Sequence, residues 1–190
     1  MSEPSISPDG LTVYFAKEYM ERTSTGWSEL KSLGAPFENI DIMRLTASSN
    51  GTYYFDTYNQ NLDTPLRYSR SIDGKYEQPK SLGQQFAIGS YNAHPFIAPD
   101  ESYIIWDSRR ESGHGTSDLY ISFRAADGSW GPAINMGDKI NTASAENYPS
   151  VSPDEKFLFF DRREKSANNE PSVDIYWVDA QIIGTLRLKQ

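Results

Sequence analysis

The sequence predicts an all-β domain, a small β-propeller of about four four-stranded antiparallel blades with irregular first and last blades. Three observations predict it: a Pro-Asp turn that returns in register, an aromatic run of strand length after each return, and a second Asp-Gly turn further along most units. Self-similarity at roughly 40 to 55 residues is what propeller blades leave in a sequence.

The first hairpin of each unit carries the strongest signal. Pro4-Ser5-Ile6-Ser7-Pro8-Asp9-Gly10 leads to Val13-Tyr14-Phe15, Pro95-Phe96-Ile97-Ala98-Pro99-Asp100-Glu101 to Ile104-Ile105-Trp106, and Pro149-Ser150-Val151-Ser152-Pro153-Asp154-Glu155 to Leu158-Phe159-Phe160. A weaker copy, Leu45-Thr46-Ala47-Ser48-Ser49-Asn50-Gly51 before Tyr53-Tyr54-Phe55, fills the interval. In each, Pro presets φ, while Asp or Asn supplies the turn hydrogen bond and Gly the positive φ. The carboxylates of these turns are therefore assigned to structure.

A second hairpin follows. Asp118 to Phe123, the Asp127-Gly128 turn, Trp130 and Asn135-Met136-Gly137 match Leu66 to Ser69, Asp73-Gly74, Tyr76 and Ser81-Leu82-Gly83. The first unit lacks about ten residues between Phe15 and Trp27, so its third strand is expected at Tyr19 to Thr23 after a very short turn. The last unit has a third strand at Asp174 to Val178 and, as the only candidate for a fourth, Thr185 to Leu188. Trp27, Tyr76 and Trp130 are read as packing between neighbouring sheets. One domain over 1–190 is expected, with repeats at 1–38, 39–88, 89–142 and 143–190. Closure is left open between four blades, an open fragment, and completion by a second chain; the sheet edges of the abbreviated end units favour a homodimer.

Composition narrows the function classes. Lys plus Arg number 18 against 26 Asp plus Glu, so no nucleic acid partner is expected. No apolar stretch is long enough to span a bilayer, no signal peptide opens the chain, and the absence of cysteine removes thiolate chemistry while leaving the compartment undetermined. Nucleophile-elbow, zincin and phosphate-loop motifs are missing, and the spacing of sialidase Asp repeats is not met.

In a propeller, residues before each inner-strand Pro and after each aromatic run converge on one mouth of the channel. That gathers Glu3, Arg44, His94 and Tyr148, with Asp41, Asn92 and Glu146 upstream, and Asp56, Asp107 and Asp161, with Arg109, Arg110, Arg162 and Arg163 behind them. Glu3, Asn92, His94 and Glu146 are candidate ligands for a divalent cation, Ca²⁺ or Mg²⁺, because such ions prefer oxygen donors. His94, Asp107 and Asp161 are candidate catalytic groups, with Arg109 and Arg163 suited to a small anionic phosphate or sulfate ester. The same residues also read as structural: Asp107 with Arg109 and Asp161 with Arg163 as ion pairs, His94 as a channel plug. His114, in Ser112-Gly113-His114-Gly115-Thr116, reads as solvated loop.

The recurring Ser7-Pro8-Asp9-Gly10 and Ser152-Pro153-Asp154-Glu155 turns, with Asp174-Ile175-Tyr176, resemble the TolB-type, WD40-like Pro-Asp repeat family over Glu3 to Gln181. The resemblance implies a propeller, in a family often periplasmic or extracellular. It also implies a non-enzymatic module for a protein, peptide or glycan, an alternative to the metal-assisted hydrolase.

Overall fold

The computed structural model describes residues 4–58, 66–165 and 170–188. It is an all-β, four-bladed propeller of small antiparallel sheets, each built outward from an inner strand in chain order. Blade 1 holds β1 (Ser5–Ile6), β2 (Thr12–Phe15), β3 (Glu18–Thr23), β4 (Gly26–Trp27) and β5 (Lys31–Ser32), with β4 and β5 both pairing β3. Blade 2 holds β6 (Leu45–Ala47), β7 (Tyr53–Asp56), β8 (Leu66–Ser69), a small hairpin of β9 (Ser71–Ile72) and β10 (Lys75–Tyr76), and β11 (Lys80–Ser81). Blade 3 is β12 (Tyr91–Ile97), β13 (Tyr103–Arg109), β14 (Asp118–Phe123) and β15 (Ile134–Asn135). Blade 4 is β16 (Ala145–Val151), β17 (Phe157–Lys165) and β18 (Pro171–Asp179), followed by helix α1 (Gln181–Arg187).

The Pro-Asp turns do what their chemistry requires. Asp9 Oδ1 accepts from the Ser7 hydroxyl at 2.6 Å and the Leu11 amide at 2.9 Å, Asn50 and Asp154 accept in the same way within their own turns, and Asp100, with Ala98 in place of the serine, accepts from the Ser102 amide at 2.9 Å. The fourth turn residue is left-handed in every blade: Gly10 at φ 72°, Gly51 at 81°, Glu101 at 61° and Glu155 at 57°. Two blades thus place glutamate where only glycine is unstrained.

Among the described residues, strand alternation produces one core between blades 1 and 2, one between 2 and 3 and one between 3 and 4. Tyr14 of blade 1 meets Tyr53 and Phe55 of blade 2, Tyr54 meets Ile104 and Trp106 of blade 3, and Ile105, Leu119 and Ile121 meet Leu158 and Phe160 of blade 4. Tyr76 and Trp130 pack against these cores as expected. Trp27 does not: it is exposed, with the Arg22 guanidinium 5.5 Å above its ring.

Thr185 to Leu188 is not a strand. The chain turns at Ala180 into α1, whose Ile183 and Leu186, three residues apart on one helical face, join the core between blades 3 and 4. Among the described residues blade 4 consequently ends at its third strand.

Candidate functional site

The polar end of the channel is built by two bulges. In β12, Ala93 pairs with Asp107 and Phe96 with Ile105, so His94 and Pro95 together oppose Trp106 alone. The same break separates Asn147 from Ser150 in β16. Proline cannot donate to a ladder, so the bulge removes the need for a donor there. It also leaves His94 at φ 51° and Tyr148 at φ 54°, with their amides turned toward the preceding blade.

Those amides meet aspartates. Asp56, fully buried at the end of β7, accepts from the amides of Met43 at 3.1 Å and Arg44 at 2.8 Å on one oxygen, and from the amide of His94 at 2.7 Å on the other. Asp107 ends β13 in the same position and accepts from the Tyr148 amide at 3.3 Å while meeting His94 Nδ1 at 2.7 Å. Each aspartate thus ties its blade to the pre-proline residue of the next. Blade 1 carries Ala16 at this register position, and Asp161 carries it in blade 4.

Burial pushes the Asp56 carboxyl above its usual range, against the pull of the His94 charge and the amide donors. Burial works against a charged His94, yet the adjacent Asp107 and nearby Asp56 hold its pKa above the ordinary imidazole value. The ring stacks on Tyr148 with centroids 3.7 Å apart, and Arg44 lies 5.9 Å from the other partner of that stack. Asp161 is raised by burial and by the charge of Asp107. One oxygen each of Asp107 and Asp161, Oδ2 and Oδ1 respectively, is buried without a hydrogen-bond partner among the described residues.

The remaining residues singled out in the sequence are distributed differently. Asn92 accepts from the Trp106 indole at 3.2 Å within blade 3, and Glu146 accepts from the Thr142 hydroxyl at 2.6 Å and from Arg162 Nε of its own blade at 2.8 Å; both are buried. Arg109 stacks 5.3 Å over Tyr91, so Asp107 pairs with His94 and not with Arg109. Arg110 and Arg162 lie 4.1 Å and 4.3 Å over Tyr120 and Tyr176. Arg163 and His114 are exposed, and Glu3 lies outside the described residues. Among the described residues no three His, Asp or Glu side chains are placed to share a metal ion.

A cavity of about 980 Å³ occupies the axis beyond this cluster. Its lining includes Pro8, Ser49, Pro99 and Pro153 of the Pro-Asp turns, with Val13 of blade 1 and Phe159 of blade 4. Its wall carries the hydroxyls of Ser5, Thr12, Thr46, Ser48 and Ser150 and the rings of Tyr53, Tyr76, Phe96 and Tyr103, and Arg44 lies on its lining toward the aspartate end. The sequence reading sets its candidate groups at the opposite mouth and assigns the Pro-Asp face to structure. Short polar side chains on inner strands, which no motif marks, were the available signal for this one.

No family model matches the sequence, and no curated protein matches it. Solved structures of similar fold include an α-L-arabinanase from Penicillium chrysogenum complexed with arabinobiose, with a TM-score of 0.56 and 11% identity over 92% of this chain and 60% of that one. A thermostable family-43 glycoside hydrolase gives 0.50 and 16% over 92% and 70%. An α-L-arabinofuranosidase from Podospora anserina in complex with cellotriose gives 0.50 and 14% over 94% and 64%. The chain spans 60% of the arabinanase's length, and the likeness is one of fold.

Proposed function

We propose that the chain is a non-enzymatic, carbohydrate-binding propeller that takes a short saccharide in its axial cavity, entering from the face of the Pro-Asp turns. The observation that carries this is the lining: Tyr53, Tyr76, Phe96 and Tyr103 together with Thr12 and Ser150 around about 980 Å³, while the Ser5, Thr46 and Ser48 hydroxyls already donate to protein acceptors. Sugar rings stack their apolar faces on aromatic side chains, and their hydroxyls exchange hydrogen bonds with serine and threonine. That volume is in the range of small-molecule sites. Saccharide complexes among propellers of similar fold support the same ligand class. The resemblance to TolB-type repeats at 1–38, 39–88, 89–142 and 143–190 supports a binding role for the domain. Calorimetric titration with a panel of neutral and uronic oligosaccharides tests the reading, which fails if none binds.

A second reading is a metal-assisted hydrolase acting on small anionic esters at the opposite mouth. Its support is the pair of unsatisfied carboxylate oxygens on Asp107 and Asp161, since a hard cation would satisfy both. Asn92 and Glu146 are bonded to protein partners, so in this reading Asp107 and Asp161 are the carboxylates that meet the cation, with Arg109 and Arg163 drawing the anionic substrate. Ester hydrolysis with and without chelator separates it from the first: metal-dependent turnover supports hydrolysis, and none supports binding alone.

A further inference from the structure

We propose that β18 is a self-association edge, at which a second copy of this chain pairs antiparallel, β18 against β18, centred on Ile175. In the other three blades the third strand is covered by a later one: β3 by β4 and β5, β8 by β11, and β14 by β15. Among the described residues β18 pairs only with β17, through nine residues, and the chain then leaves the sheet in α1. A long uncovered edge presents a row of unpaired donors and acceptors, which a second strand satisfies.

The side chains along this edge are those of an interface. Register places Phe159 opposite Trp177 and Asp161 opposite Ile175, where blade 3 has Ile105 opposite Ile121 and Asp107 opposite Leu119. Ile105, Leu119 and Ile121 are 0% exposed beneath the next blade, whereas Phe159, Ile175 and Trp177 are 37%, 80% and 61% exposed. Val173, on the same face, is 50% exposed.

The strand is complementary to itself in one register. Pairing about Ile175 sets Ile175 against its mate, Val173 against Trp177, and Asp174 against Tyr176, so no two carboxylates meet. Since directly opposed residues in an antiparallel pair share a face, Val173, Ile175 and Trp177 of both copies form one apolar strip. Centring on Asp174 would oppose two carboxylates, and centring on Tyr176 would set Val173 against Asp179. Of these three centres only Ile175 sets Val173, Ile175 and Trp177 against one another, and this self-complementarity makes a second copy the fitting occupant.

Sedimentation velocity of the wild-type chain is expected to show a concentration-dependent dimer. Ile175→Lys, on an exposed side chain, should weaken it by at least about tenfold while circular dichroism stays unchanged. The chain has no cysteine, so I175C introduces a single thiol. Opposed Cα atoms of an antiparallel pair lie within disulfide reach, so oxidised I175C should become a covalent dimer, and the exposed blade 1 control L11C should not. A monomer at all concentrations, a dimer undiminished by I175K, equal cross-linking of both cysteine variants, or capture only of an unrelated chain would overturn the proposal.

Discussion

Replacing Asp56 by alanine should uncouple blade 2 from blade 3, and the cost can be worked from three hydrogen bonds. The carboxylate accepts from the amides of Met43, Arg44 and His94, of which Arg44 and His94 belong to buried residues. Each buried amide left without an acceptor costs about 1 to 3 kcal/mol. Part of that is returned, because the pKa of Asp56 is raised by burial and the ionised carboxylate is therefore held at a cost. The net loss expected is about 3 kcal/mol, and about 1 to 2 kcal/mol for Asp56→Asn, which keeps one acceptor oxygen. With a urea slope of about 2 kcal/mol per molar, D56A should lower the unfolding midpoint by about 1.5 M. A shift below about 0.3 M at unchanged slope would mean that the amides find water, refuting the view that these aspartates hold the blades together.

Three further outcomes follow from the same geometry. Because the folded pKa of His94 is raised above 6.5, its contribution is complete below that value and is lost as pH rises through the folded pKa; urea midpoints should fall as pH is raised above 6.5, and H94Q should flatten that limb. Asp161 is raised above 3.8 and lacks a partner on Oδ1, so D161N should raise the urea midpoint at neutral pH and lose that advantage in acid. Calcium that raises the wild-type melting temperature but not that of D161N would favour the hydrolase reading instead. Glu155 holds φ 57° in the turn where blades 1 and 2 use glycine, so E155G should stabilise by up to about 1 kcal/mol in urea titrations.

The blade plan was legible because turn chemistry is local. Asp9, Asn50, Asp100 and Asp154 satisfy their own turns, and the strand after each follows from the aromatic run. The C-terminal helix was misread because Thr185 to Leu188 has strand-like composition, while its signal was the three-residue spacing of Ile183 and Leu186. Reading the mouth required knowing which way side chains point. The bulges at His94 and Tyr148 arise from a ladder without a proline donor, and they send His94 toward Asp107 while Asn92 and Glu146 turn into the packing. Composition identified the polar residues, but a one-residue slip in register decides which of them meet.

The central claim, that the axial cavity holds a saccharide, is tested most directly by filling it. Ser150 lines the cavity from the inner strand of blade 4, and Ser150→Trp would occupy the space a sugar ring needs. Calorimetric titration of wild type and S150W with the best oligosaccharide of the panel should show binding lost by at least about tenfold at an unchanged melting temperature. Undiminished binding by S150W would contradict the account.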